Sequence, residues 1–192
     1  MKEVNNFTKF WPEEDAFFFT KVLCLFPLII REALQKVPFP KELKGNIEGK
    51  YIWGPNGTGK TVYAAQMMVA NIKSNYDLET NIFISSVELL SKFRSSYAKN
   101  SSESEIEILD RYSKAKLLVL DDFGVEKSTE WAYQMLYLLI NRRYENMLTT
   151  VFTSNLDLKE LGEKLGDNRI PSRIQSMGKI VNMTGNDFRA ER

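Results

Sequence analysis

The chain has 192 residues, a formal net charge of +1, and a composition that is 43% hydrophobic and 27% charged. These proportions fit a soluble globular protein with one sizeable core, and the near-zero charge excludes a protein that coats nucleic acid by bulk electrostatics. Histidine is absent and Cys24 is the single cysteine, which excludes an intramolecular disulfide, a cysteine metal cluster and imidazole chemistry, and leaves carboxylates, Asn, Lys and Arg to act.

Pro12, followed by Glu13, Glu14 and Asp15, marks a helix start, since proline suits the first turn and carboxylates suit the positive end of the helix dipole. Phe17, Phe18, Phe19, Val22, Leu23, Leu25 and Phe26 then cover nearly every face, which predicts a buried helix with Cys24 as a buried structural thiol. Pro27 ends or kinks it before residues 28–34 continue, and Val37-Pro38-Phe39-Pro40 marks the connection to the next module. The apolar stretch 16–30 is too short to span a bilayer comfortably and follows acids rather than the basic segment of a secretory signal, so a cytoplasmic location is expected. The expected division is a helical, aromatic-rich N-terminal extension over 1–44 and a second domain over 45–192.

From Lys50 the pattern alternates. Strands are predicted at 51–53, 81–84, 117–120, 149–153 and 179–183, with helices at 60–72, 87–98, 106–112 and from the capping residues Ser128 and Thr129 to Arg142 and Arg143. Leu117-Leu118-Val119-Leu120 is apolar throughout, as a parallel strand covered on both faces must be. The alternation predicts a doubly wound α/β sheet.

Gly54-Pro55-Asn56-Gly57-Thr58-Gly59-Lys60-Thr61 fills the pattern G-x-x-x-x-G-K-[ST], a loop that wraps nucleotide phosphates in backbone N–H groups. Gly57 and Gly59 let the backbone approach phosphate oxygens, Lys60 brings charge to the β- and γ-phosphates, and the Thr61 hydroxyl can ligand Mg²⁺. Asp121 and Asp122 directly follow the buried strand, at the end where a parallel sheet presents itself to ligands. Asp121 is expected to hold Mg²⁺ through water, and Asp122 to orient the attacking water. Asn155 ends the next strand in Thr153-Ser154-Asn155, from which it can reach the γ-phosphate or that water.

The separated runs over 117–127, Thr129-Glu130-Trp131-Ala132, Asn141-Arg142-Arg143-Tyr144, Thr153-Ser154-Asn155 and Thr184-Gly185-Asn186-Asp187-Phe188-Arg189 resemble the DnaC/DnaI helicase-loader group of AAA+ ATPases. The transposition helper IstB belongs to the same group. The resemblance runs from Lys50 onward and implies a P-loop AAA+ core with a five-stranded parallel sheet between helices, and ATP with Mg²⁺ as cofactors. It also implies an arginine finger reaching a neighbouring subunit's ATP: Arg173 matches its position, with Arg169 a second candidate one turn earlier, and Arg189 matches the sensor 2 arginine. Self-association through the finger follows.

Three departures qualify it. Asp122 stands where many AAA+ proteins carry Glu, which implies slow hydrolysis. Only a short tail follows the last strand, so no C-terminal lid is expected. The N-terminal extension lacks a cysteine cluster, and its segment 17–30 is either a helicase-docking element or packing for its own core. DnaA-like relatives bind single-stranded DNA through an insertion after the second strand, where Lys92, Arg94, Tyr97 and Lys99 stand here, with Glu103, Glu105 and Glu107 nearby.

The leading expectation is therefore an ATPase that binds a DnaB-type hexameric replicative helicase and delivers it to single-stranded DNA, in a host's cytoplasm if a phage or mobile element encodes it. An IstB-like helper of a DNA transposase is the alternative. An ATP-gated adaptor with almost no turnover is a third reading, whereas the Thr-Ser-Asn strand end and the arginine pair argue against a small-molecule P-loop kinase.

Overall fold

Four consecutive apolar residues form the centre of strand β3 (Leu117–Asp121), which is buried along its whole length in the computed structural model. The structure describes residues 16–40, 42–43, 47–98, 101–126 and 129–185. On either side of β3 lie β2 (Asn81–Ser85) and β4 (Thr149–Ser154); β1 (Lys50–Trp53) pairs with β4 and β5 (Lys179–Asn182) with β1. The order is β2-β3-β4-β1-β5 and every pairing is parallel, as the alternating pattern predicted.

The two faces of the sheet take alternate residues, because successive side chains of a strand point to opposite sides. Leu118, Leu120, Tyr51 and Phe152 meet α4 (Ser86–Ser95), α5 (Glu105–Lys114), α6 (Glu130–Glu145), α7 (Leu158–Leu165) and α8 (Arg169–Met177). Leu117, Val119, Ile52 and Val151 meet α1 (Ala16–Cys24), α2 (Leu28–Lys36) and α3 (Lys60–Asn75). Burying a side chain of this size is worth about 2 kcal/mol, so the central strands hold the layers together.

The N-terminal segment differs from a helix buried all round. It forms two helices that break at Pro27, and Val22, Phe26, Ile30 and Leu34 recur every four residues on the inward side. Phe26 meets Phe83 edge-on with ring centroids 5.3 Å apart, and Arg31 Nε donates to the Phe26 carbonyl at 2.6 Å, closing the exposed end of α1. The segment therefore packs on its own core, while Leu28 and Ile29 face outward, 69% and 62% exposed. Cys24 is exposed, not buried: two residues beyond the inward Val22, it is carried to the opposite side of α1. The helix start expected at Pro12 and the boundary expected at residue 44 lie outside the described residues. Among those described, no helix is long and apolar enough to cross a membrane.

Helix α7 was not foreseen from the sequence. Asp157 and Glu160 cap its start reciprocally, and Gly166, with φ of 68°, ends it. Arg143 also does more than sit at the end of α6. It is wholly buried and donates to the carbonyls of Tyr112 (2.9 Å), Ala115 (2.7 Å) and Thr149 (2.6 Å) and to Thr150 Oγ1 (2.9 Å), capping α5 from a neighbouring helix.

Candidate functional site

Strand β1 ends at Trp53, and residues 54–59 fold back into α3. A Cβ at Gly54 would lie 2.1 Å from the Met183 carbonyl oxygen, so only glycine fits where the loop leaves the sheet. Gly59 is different: a Cβ there would meet nothing within 4 Å, and its φ of 88° is what requires glycine. Thr58 Oγ1 donates to the Pro55 carbonyl at 3.0 Å and fixes the turn, while Asn56 stands exposed at its tip.

Lys60 opens α3 and is only 6% exposed, its ammonium folded into the hollow of the loop. Nζ donates to the carbonyls of Gly54 (2.8 Å) and Pro55 (2.7 Å), oxygen contacts of the kind that phosphate would replace. The N–H groups of the first turn of α3 open at the same end, so cation and helix dipole act together on an anion.

Parallel pairing brings the other candidates to the same edge of the sheet. Trp53 lies opposite Ser154 and Leu120 opposite Phe152, which sets the phosphate loop, Asp121 and the end of β4 side by side. Burial pushes the Asp121 carboxyl above the usual carboxylate range, and hydrogen bonds from the Thr153 and Thr61 hydroxyls partly offset the shift. Thr153, itself fully buried, donates Oγ1 to Asp121 Oδ1 at 2.5 Å and accepts the Asp122 N–H at 2.9 Å. Asp122 is exposed and adopts the left-handed conformation, φ 53°, turning the chain out of the strand. Asn155 is exposed beyond β4 and lines a pocket of about 210 Å³ with Phe123, Gly124, Val125, Leu156 and Lys164. A larger groove of about 570 Å³ opens among Gly49, Met147, Thr149 and Met177, at the opposite edge of the sheet.

Thr153 is the site residue that sequence reasoning missed, although Thr153-Ser154-Asn155 was singled out for its last member. The signal is register: a hydroxyl one position past Phe152 must lie beside the acid one position past Leu120. Thr61 and Asp121 offer a hydroxyl and a carboxylate, hard oxygen donors suited to a Mg²⁺ that completes its shell with water and phosphate. Among the described residues no group of three or more Asp, Glu or Cys forms an all-protein metal cage.

The arginines stand elsewhere. Arg173 Nε donates to Asn141 Oδ1 at 2.7 Å and Nη2 to the Tyr137 hydroxyl at 2.9 Å, and its guanidinium stacks 4.8 Å from the Tyr137 ring centroid. Arg169 pairs with Asp167 at 2.7 Å and stacks on Tyr137 at 5.0 Å. Arg189 lies outside the described residues. In the segment after β2, Lys92 pairs with Glu88 at 3.6 Å, Arg94 lies over the Trp131 ring at 5.0 Å, and the Tyr97 hydroxyl bonds Glu105. Lys99 lies outside the described residues.

The chain is similar over most of its length to known proteins. The family described as IstB-like ATP binding protein matches residues 43–192. An ATP-binding protein of insertion sequence IS232 from Bacillus thuringiensis subsp. berliner is 29% identical over 140 residues, covering 71% of this chain and 53% of that protein. The replicative helicase loader DnaC of Escherichia coli K12 is 25% identical over 137 residues, covering 71% and 54%. The chain thus spans about half the length of the curated relatives it matches. The crystal structure of the DnaC helicase loader superposes with a TM-score of 0.62 at 21% identity, covering 88% of this chain and 99% of that one, which establishes a common AAA+ P-loop fold.

Proposed function

The chain belongs to the IstB-like ATP-binding protein family, and we propose that it is an ATP-dependent helicase loader that grips a DnaB-type hexamer and delivers it to single-stranded DNA. The observation that carries the nucleotide part is Lys60, buried on two carbonyls of its own loop in the strand-end cluster of Thr61, Asp121 and Asp122. In this reading the backbone from Gly54 through Asn56, Gly57, Thr58 and Gly59 cradles the phosphates, and Lys60 Nζ exchanges carbonyls for phosphate oxygens. Thr61 and Asp121 hold Mg²⁺, which when bound offsets phosphate charge.

Asp122 and Asn155 orient a water for in-line attack on the γ-phosphorus; the bond to the β–γ bridging oxygen breaks, leaving ADP and inorganic phosphate. The aspartate is one methylene shorter than glutamate, so alignment is poorer and turnover slow. Arg173 of a neighbouring subunit, with Arg169 behind it and Arg189 as the sensor, stabilises charge on the transferred group. Arg173 must then give up Tyr137 and Asn141, so engagement depends on assembly.

The outward Leu28 and Ile29 supply an apolar surface for a protein partner, and Arg94, Tyr97, Lys92 and Lys99 the cations and aromatic ring for single-stranded DNA. Light scattering of the protein mixed with its replicative helicase tests the reading. A discrete complex whose stability differs between ATP and ADP, and that loses this difference in Lys60→Ala, is expected. The IS232 relative favours a second reading, an ATP-dependent helper of a transposase. Assembly on duplex DNA, with no helicase complex in either nucleotide, would establish that reading and overturn the loader.

A further inference from the structure

Beyond the strand ends, the described residues hold one buried carboxylate to which no role has been given. Glu126 is 7% exposed, four residues after Asp122, and among the described residues no cation pairs with it. Desolvating a carboxylate is costly unless its oxygens are hydrogen-bonded. Here they accept the Ser86 hydroxyl at 2.7 Å and the Gly124 N–H at 3.1 and 3.3 Å. The same Ser86 Oγ lies 3.0 Å from the Asp122 carbonyl oxygen, so its single proton is shared between two acceptors and holds Glu126 against the backbone of the second acid.

Asp122 needs such a hold. A non-glycine residue at φ of 53° sits in the left-handed region, where its Cβ crowds the following carbonyl oxygen. Thr153 fixes its N–H from one side and Ser86 its carbonyl from the other, while Gly124, at φ of 87°, brings the chain round to Glu126. Ser86 comes from the first turn of α4, directly after β2, so the turn following β3 is fastened to both neighbouring strands' ends.

We propose that Glu126, acting through Ser86, is a positioning residue for Asp122: the pair sets the backbone angle from which the Asp122 carboxylate reaches the attacking water. The inference rests on the reading of Asp122 as the water-orienting acid. Neither side chain belongs to the phosphate loop at 54–61, so loss of the pair lowers turnover and leaves nucleotide affinity in place.

The experiment measures ATP turnover and Mg-nucleotide affinity for the wild-type protein and for Glu126→Ala, Ser86→Ala, the double variant and Asp122→Asn. Each single variant is expected to lower kcat about tenfold with affinity within threefold, and the double variant to fall no further than the weaker single, as members of one chain of bonds do. If Glu126→Ala melts early, Ser86→Ala is read in its place, and Glu126→Gln, which keeps the volume and one acceptor oxygen, is expected to retain most of the turnover. Wild-type turnover in the Glu126 and Ser86 variants alongside a loss in Asp122→Asn overturns this inference alone. Unchanged turnover in Asp122→Asn, or none in the wild type, overturns the role of Asp122 and this inference with it.

Discussion

Replacing Thr153 by Val removes one hydroxyl from a fully buried position while keeping the side chain's shape. That hydroxyl donates to Asp121 and accepts from the Asp122 N–H. A hydrogen bond to a carboxylate is worth about 1.5–3 kcal/mol, and an orphaned N–H costs about 1–3 kcal/mol. The exposed turn at Asp122 lets water recover part of the second amount, so a net loss of about 3 kcal/mol is expected. In a domain of this size that is a fall in Tm of about 6–12 °C. The Asp121 carboxyl, already held above the usual range by burial, loses its nearest compensating donor, which weakens its hold on a cation. Mg-nucleotide affinity should therefore fall about tenfold, the equivalent of about 1.4 kcal/mol. Thermal melting and calorimetric titration of Mg-nucleotide read the two effects, and Thr153→Ser, which keeps the hydroxyl, should restore both. A Thr153→Val protein that melts within 2 °C of wild type, by the same conversion, and binds Mg-nucleotide unchanged would show that the hydroxyl does not organise the site.

Arg143→Ala leaves three carbonyls and a threonine hydroxyl without their donor around a new cavity. A loss of at least about 3 kcal/mol in urea unfolding follows, with Arg143→Lys recovering only part because it lacks the planar fork. Asp77 accepts the Thr80 hydroxyl at 2.5 Å and the Thr80 N–H at 3.1 Å, with Lys116 beside it, and its carboxyl is lowered to about 2. A depressed carboxylate stabilises the fold fully above its unfolded value of 3.8 and loses that contribution as pH falls through about 2. Unfolding curves of Asp77→Asn should therefore run below wild type at neutral pH and converge with it in that acid window; a constant gap down to the lowest pH would contradict the assignment. Cys24 should react with a maleimide in the native protein at the rate of an open thiol, and reaction only on unfolding would place it in the core after all.

The sheet was legible because its physics is local. A strand that reads Leu-Leu-Val-Leu can only be covered on both faces, and glycines at 54, 57 and 59 before a lysine leave little choice of turn. Helix α7 was also written in the chain, as Asp157 and Glu160 three residues apart and Gly166 at the end, but its eight residues are too few for a long apolar stripe. Thr153, Ser86 and Glu126 could not be read in the same way. Their roles follow from register between strands and from a turn that brings Glu126 back to β2, separations of 32 and 40 residues that no local pattern encodes. Arg143 shows the converse error, for two arginines at a helix end invite a dipole argument, whereas one of them serves a different helix. The stacking of Arg169 and Arg173 on α6 depends likewise on how two helices meet, and only Tyr133 and Tyr137, one turn apart, hinted at a shared face.

How nucleotide state reaches a partner is constrained by which parts can yield. Helix α3 begins at Lys60 and is buried continuously from Ala64 to Ile72, between the sheet and the pair α1 and α2. Gln66, midway along it, donates to the carbonyls of Val37 (3.3 Å) and Pro38 (3.0 Å), fastening the end of α2 to the same body. Shifting α3 would break close packing along nine residues, at several kcal/mol, whereas rotating the backbone at Gly59, which nothing crowds, costs little. The loop therefore adapts to phosphate while α3 stays, and α2 with its outward Leu28 and Ile29 stays with it. A nucleotide signal passed along α3 would be faint. The turn from Asp122 to Glu126 is fastened by Thr153 and Ser86, which leaves the side chain of Arg173, held by Tyr137 and Asn141 through exchangeable hydrogen bonds, as the element free to respond. If Arg173 serves another copy, as proposed for the loader, the effect of ATP on partner binding should grow with protein concentration, as copies meet, and vanish where the protein is held as separate subunits.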